Sequence, residues 1–151
     1  MKPKIQRISQ ISAEQSVICI IGEDQIPERL NLTRQEKDFA QTRILAKEEY
    51  VFLNSYNRSV YLVGLKHGNV HYKVREELRR TAYNLRNLIK ENNYSDLVIT
   101  SENAYKGAIE DFTEGLLLSF YSFDKYKTKA GSEEKKHYPE RLLLQGDMDD
   151  S

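Results

Sequence analysis

The order of apolar and polar residues divides the chain into short segments that predict alternating strands and helices. Residues 16–22, SVICIIG, form an unbroken apolar run rich in β-branched side chains. Such a run is typical of a strand that is covered on both faces, so we expect it in the middle of a sheet. Residues 50–54 and 59–65 are two further β-prone runs, and the short polar segment SYNR between them predicts a hairpin.

Three helices are predicted in the remaining segments. Thr33 and Glu36 have the spacing of a capping box, in which each side chain accepts a hydrogen bond from the other residue's backbone N–H, so a helix should run over residues 34–47. Residues 73–92 repeat apolar side chains at helical spacing, which predicts an amphipathic helix. A third helix is expected over residues 103–121, where aromatic and aliphatic residues share one side.

Short apolar runs at residues 96–100 and 141–145 predict two more strands. Because strands and helices alternate, the fold class is α/β, with a mostly parallel sheet sandwiched by helices. The predicted hairpin adds an antiparallel pair, so the sheet is expected to be mixed.

Length indicates a single domain over residues 1–151. Residues 1–15 are expected to be irregular, and the polar residues 128–140 predict a flexible loop. Residues 147–151 predict an acidic tail or the start of an interdomain linker.

Composition changes this picture little. Basic and acidic residues number 23 each, so net charge does not attract the chain to nucleic acid or to an anionic membrane. Cys19 lies in the apolar run and favours a buried thiol in a reducing compartment. The sequence contains neither a signal-peptide pattern nor an apolar stretch long enough to span a membrane, so we expect a soluble, cytoplasmic protein.

Residue types that carry catalysis are present, but they do not form catalytic patterns. His67 and His71 have the spacing of two metal ligands on a helix, yet Gly68 and Asn69 between them favour a loop and a solvent-exposed pair. His137 has no neighbouring cysteine or histidine. The glycines form no phosphate-binding motif, and no serine lies in a nucleophile-elbow motif. We therefore predict no catalytic, cofactor-binding or metal-binding residue in this chain.

The second predicted helix carries a basic face. Arg75, Arg79 and Arg86 near several tyrosines could contact phosphates and stack on bases, as in single-strand binders. Glu76 and Glu77 interrupt this face, which favours a solvated surface or a subunit contact.

Three segments together resemble the N-terminal domain of the leucyl aminopeptidases, the cytosol aminopeptidase family. They are a strand that ends in Val-Gly-Leu, a helix rich in Arg, and a helix that closes on Glu-Gly, an apolar stretch, Tyr-x-Phe and Tyr-Lys. The matching positions, for which we expect structural roles, are Val63, Gly64, Leu65, Glu114, Gly115, Tyr121, Phe123, Asp124, Tyr126 and Lys127. The resemblance covers residues 16–144 and departs at Lys66, where the family often has another glycine.

This resemblance implies a macro-domain-like, three-layer fold and an accessory role in assembling a hexamer and shaping access to an active site. Family members also carry a C-terminal peptidase domain, which holds two divalent metal ions, zinc or manganese, and removes N-terminal amino acids from peptides. No motif of that domain is found here. The expectation is a non-catalytic domain whose partners are that peptidase domain and other copies, with no nucleic acid and no membrane. The alternative is a stand-alone macro-like domain that binds ADP-ribose or a related nucleotide.

The stretch EGLLLSFYSFDKYKTKA, residues 114–130, carries the most specific part of the resemblance. We expect Gly115 to let a neighbouring element approach closely. The aromatic residues Tyr121, Phe123 and Tyr126 should hold the chain against the sheet as it leaves the helix. Glu114 is either a polar residue on the helix surface or a buried, paired carboxylate.

Overall fold

The structure is a computed structural model. The residues it describes are 4–10, 15–22, 26–27, 30, 32–46, 48, 50–54, 58–65, 71–92, 94–102, 104–127 and 139–145. For residues 71–72, 90–92 and 121–127 only the backbone is described.

The described residues form one mixed sheet and three helices. In chain order the elements are β1 (Lys4–Arg7), β2 (Val17–Ile21), α1 (Arg34–Leu45), β3 (Val51–Asn54), β4 (Ser59–Gly64), α2 (His71–Asn92), β5 (Asp96–Glu102), α3 (Ala108–Lys127) and β6 (Arg141–Leu144). The strand order across the sheet is β1-β6-β5-β2-β4-β3. Every neighbouring pair is parallel except the antiparallel hairpin of β3 and β4. The predicted α/β class with a mixed, mostly parallel sheet is confirmed.

Strand β2 occupies the centre, as its apolar run predicted. It pairs in parallel with β4 on one side and β5 on the other, and all five of its side chains are buried. Cys19 is fully buried, which agrees with the predicted structural thiol.

Side chains that alternate along β2 separate two apolar clusters on opposite faces of the sheet. Ile18 and Ile20 join the larger cluster, which also contains the apolar sides of α2 and α3. Val17, Cys19 and Ile21 join the second cluster, to which α1 contributes only two buried side chains. The result is the expected three layers, in which α1 is the one described helix on its face and Ile26 and Leu30 also pack there.

Helix α1 begins where the capping box placed its start. The Thr33 hydroxyl accepts from the Glu36 backbone N–H at 3.1 Å, and the Thr33 N–H donates to the Glu36 carboxylate at 2.9 Å. The helix buries only Ala40 and Ile44, which fits its thin apolar face. These two reciprocal bonds satisfy backbone donors that the first turn would otherwise leave open.

Two expectations about element bounds were wrong. Residues 1–15 are not irregular throughout, since Lys4–Arg7 forms β1, an edge strand whose four side chains are all exposed. The third helix begins at Ala108, after a turn in which Gly107 has φ +97°, and it continues to Lys127. Tyr121, Phe123 and Tyr126 therefore lie within the helix, not after it. Of the predicted loop at residues 128–140, residues 128–138 lie outside the described residues, and so does the acidic tail.

Candidate interaction surface on helix α3

Helices α2 and α3 pack side by side, and Gly115 sets how closely they approach. Each helix follows one of the parallel strands β4 and β5, so the two run in the same direction. A β-carbon placed on Gly115 would lie 3.0 Å from the Arg79 Cα and 3.2 Å from its Cγ. The glycine therefore provides the space that the backbone and side-chain stem of Arg79 occupy, as predicted.

Glu114, the residue before Gly115, pairs with the guanidinium of the same Arg79. The Arg79 guanidinium donates to the Glu114 carboxylate at 3.0 Å, and both side chains are well exposed. Glu114 is therefore a surface residue in an ion pair, and its reading as a buried carboxylate was wrong. Both residues thus accommodate Arg79. Gly115 leaves room for its backbone and side-chain stem, and the adjacent Glu114 pairs with its guanidinium.

A second set of contacts between side chains stabilises the first turn of α3, where Asp111 contacts Tyr105 and Arg75. The Tyr105 hydroxyl donates to the Asp111 carboxylate at 2.6 Å, and Arg75 Nε lies 3.5 Å from the same oxygen. Burial first, and then the bond to Asp111, raise the pKa of the Tyr105 hydroxyl well above its ordinary value. A hydroxyl held in its neutral form can donate this bond but cannot serve as a base near neutral pH.

These contacts also change the interpretation of the basic face on α2. Arg75 and Arg79 turn toward acidic side chains of α3, and the Arg86 guanidinium lies 4.1 Å from the centre of the Tyr83 ring. Arginines that are engaged within the domain are less available to phosphates. Arg75, Arg79 and Arg86 thus each make a contact within the domain.

A groove of about 680 Å³ lies between α3 and the β1–β6 side of the sheet. Its lining is mostly apolar and comprises Ile5, Glu110, Thr113, Glu114, Leu117, Leu118 and Leu144. Ile5 and Leu118 leave 49% and 55% of their surface exposed. No sequence pattern marks this groove, because its walls come from three segments that are far apart in the chain.

Among the described residues at the carboxyl edge of the parallel strands, where α/β folds usually bind nucleotides, two backbone N–H groups are already hydrogen-bonded. The Gly22 N–H donates to the Glu102 carbonyl at 2.9 Å, and the Leu65 N–H donates to the Ile21 carbonyl at 2.9 Å. Glu102 also adds a carboxylate at the end of β5. The two N–H groups are therefore not free to bind a phosphate, and the carboxylate adds negative charge that would repel one. The nucleotide-binding alternative is not favoured.

The described part of the chain carries neither a metal-binding cluster nor a membrane-spanning helix. Within it, no group of three or more His, Cys, Asp or Glu side chains could hold a metal ion, so these residues do not fit a peptidase metal centre. His67 and His137 lie outside the described residues, and His71 begins α2. None of the described helices combines the length and the apolarity that crossing a bilayer requires.

A match to a family model identifies the family of this chain. The sequence model of the N-terminal domain of the cytosol aminopeptidase family matches residues 46–130, more than half of the chain. The chain belongs to the cytosol aminopeptidase family. The match spans β3 to α3. It includes Arg79, Glu114 and Gly115, together with every position on which the sequence resemblance was based. No curated protein sequence matches the chain at a significant level.

Solved structures agree with this family at the level of the fold. A mutant of tomato leucine aminopeptidase matches with a TM-score of 0.60 and 13% identity, over 96% of this chain and 32% of that chain. The alphavirus protein P23pro-zbd matches with a TM-score of 0.56 and 10% identity, over 97% of this chain and 22% of that chain. This cytosol aminopeptidase family domain thus spans about a third of the tomato enzyme's chain.

The structure gives the family-motif positions different surroundings. Val63 is buried in the larger apolar cluster, Leu65 lies at its border, and a β-carbon on Gly64 would meet nothing within 4 Å. Close packing therefore explains Gly115 but not Gly64. The remaining motif positions, Tyr121, Phe123, Asp124, Tyr126 and Lys127, lie in the last turns of α3, where only the backbone is described.

Proposed function

We propose that this chain is the non-catalytic N-terminal accessory domain of a leucine-aminopeptidase-like enzyme that removes N-terminal amino acids from peptides. One observation carries the proposal: residues 46–130 match the model of the family's N-terminal domain, and the fold of nearly the whole chain matches about a third of tomato leucine aminopeptidase. The proposed roles are assembly of the oligomer and control of access to the active site.

In this proposal the chemistry belongs to a C-terminal peptidase domain of the same cytoplasmic protein. Two divalent metal ions, zinc or manganese, would bind there and polarise the substrate carbonyl and the attacking water. The described residues supply no metal-binding group, and the buried Cys19 and the protonated Tyr105 are poorly suited to nucleophilic or basic roles. In this proposal the described residues contribute to function through the surface that they present to other parts of the enzyme.

Two measurements test the proposed function. The purified 151-residue chain, incubated with Zn²⁺ or Mn²⁺, should retain no stoichiometric metal by elemental analysis and should not cleave leucine anilide. The reading frame beyond Ser151 should encode a peptidase domain, and the longer polypeptide should cleave the same substrate in a metal-dependent way. Metal-dependent cleavage by the 151-residue chain would contradict the proposal, and so would a frame without a peptidase domain.

A further inference from the structure

Three of the large apolar side chains that are exposed among the described residues lie away from the groove: Phe39, Leu45 and Tyr83. Phe39 on α1 lies beneath the Arg43 guanidinium, 4.9 Å from the ring centre, and Tyr83 on α2 lies in the same way against Arg86. Each of these two aromatic rings thus pairs with an arginine of its own helix. Ile5 and Leu118 instead face one continuous groove whose lining is mostly apolar. An exposed apolar surface of this kind is typical of an interaction site.

The position of β6 indicates which part of a longer protein would cover the groove. Leu144, the last residue of β6, is part of the groove wall, and β6 follows every other described element in the chain. In a longer polypeptide the segment after β6 would therefore begin beside this groove. In the tomato enzyme, about two thirds of the chain lies outside the part that this domain matches.

A second copy of this domain is a poorer occupant. Strand β1 forms the edge of the sheet beside the groove and carries a cation at each end, Lys4 and Arg7. Antiparallel pairing of two β1 strands in full overlap would place Lys4 opposite Arg7 of the other copy. Like charges directly opposite one another destabilise a strand pair, and lysine on an edge strand is a common guard against such pairing.

We infer that the groove between α3 and strands β1 and β6 is the face on which the peptidase domain of the same polypeptide packs, through an apolar segment that contacts Ile5 and Leu118. This inference rests on the proposed function, because it assumes that a peptidase domain follows. It also assigns the accessory domain a specific contact. Substitutions in the groove should be tolerated in the isolated domain and harmful in the longer polypeptide.

The test compares variants in two contexts, the 151-residue chain and the longer polypeptide encoded by its reading frame. Ile5→Glu and Leu118→Glu are the groove variants, and Leu45→Glu is the matched control, since Leu45 is exposed on α1 away from the groove. In the 151-residue chain all three should leave Tm within a degree or two of wild type, as expected for exposed positions. In the longer polypeptide only the groove variants should speed thermal inactivation of the aminopeptidase, by about tenfold, the factor for losing one buried leucine contact.

Each result bears on a different claim. If the frame encodes no peptidase domain, both the proposed function and this inference fail. If the longer polypeptide is an aminopeptidase and the groove variants inactivate no faster than Leu45→Glu, the inference fails and the proposed function stands. If sedimentation shows that the 151-residue chain is a dimer and that Leu118→Glu dissociates it, the groove is a contact between copies and the inference is overturned.

Discussion

A β-carbon on Gly115 would lie 3.0 Å from the Cα of Arg79, so a side chain at position 115 would require α2 and α3 to move apart by a few tenths of an ångström. The contact is with backbone, which cannot rotate away as the end of a flexible side chain can. Glu114, the preceding residue, then holds the guanidinium of the same arginine. One arginine of α2 thus explains two adjacent positions of the family motif on α3.

Replacing Gly115 with alanine should destabilise the domain. Alanine favours a helix over glycine by about 1 kcal/mol, but overpacking at a backbone contact costs about 1–3 kcal/mol, so we expect a net loss of about 1 kcal/mol in the free energy of unfolding. Gly115→Val should lose more. Urea denaturation measures both losses. Gly64→Ala is the control, since a β-carbon there meets open space, and a loss as large as that of Gly115→Ala would argue against close packing as the cause.

The ion pair between Arg79 and Glu114 should contribute little to stability. Both side chains are exposed, and surface pairs contribute about 0–1 kcal/mol. A double-mutant cycle with Arg79→Met and Glu114→Gln should therefore give a coupling energy below about 1 kcal/mol, and it should shrink as salt is added. A coupling of several kcal/mol would restore the interpretation of Glu114 as a desolvated carboxylate.

Removal of the Tyr105 hydroxyl should make stability less sensitive to high pH. At pH 7, Tyr105→Phe should lower the free energy of unfolding by about 1.5 kcal/mol, because a hydrogen bond to a carboxylate is lost. The folded state raises the pKa of Tyr105 above its unfolded value of about 10, so its contribution is fully present below that pH. As pH rises beyond it, wild type should lose this contribution and the two proteins should converge. Denaturation curves from pH 7 to about 11.5 measure this, and a constant difference would contradict it.

Loss of the Thr33 cap should weaken α1. Thr33→Ala removes the acceptor for the Glu36 N–H and should cost about 1 kcal/mol of unfolding free energy. Thr33→Ser keeps a hydroxyl at the same position and should stay close to wild type. Chemical denaturation distinguishes the two variants. Equal losses for both would show that the methyl group, not the hydrogen bond, is responsible.

The sequence predicted those elements whose stabilising contacts are local or whose burial is uniform. The capping box of α1 lies within four residues, and β2 is buried on both faces, so both were visible as patterns. Strand β1 escaped notice because all four of its side chains are exposed and show no alternation of polar and apolar residues. The start of α3 was misplaced because Tyr105 continues the apolar spacing, although it lies before the turn at Gly107.

The candidate surface was harder to predict than the fold. Gly115 marked a close approach in the sequence, but its partner Arg79 belongs to another helix, and no local pattern could identify it. The groove depends on Ile5, Leu118 and Leu144, which line one groove only when β1 pairs with β6 and α3 packs on the same face of the sheet. Long-range pairing of this kind is set by the topology of the sheet, which a pattern of hydrophobic residues does not specify.

The pairing of β1 with β6 has a consequence for how this domain matures on the ribosome. Gln6 and Arg141 touch across the two strands although they are 135 positions apart, so β1 must wait until almost all of the domain has been synthesised. Contacts between such distant positions form late and reduce the rate of folding. The amino-terminal part of a domain, in contrast, leaves the ribosome first. The groove wall at Ile5 and Leu144 is therefore assembled at the end of synthesis. If a peptidase domain follows β6, as proposed, it would therefore reach the groove only after both Ile5 and Leu144 were in place.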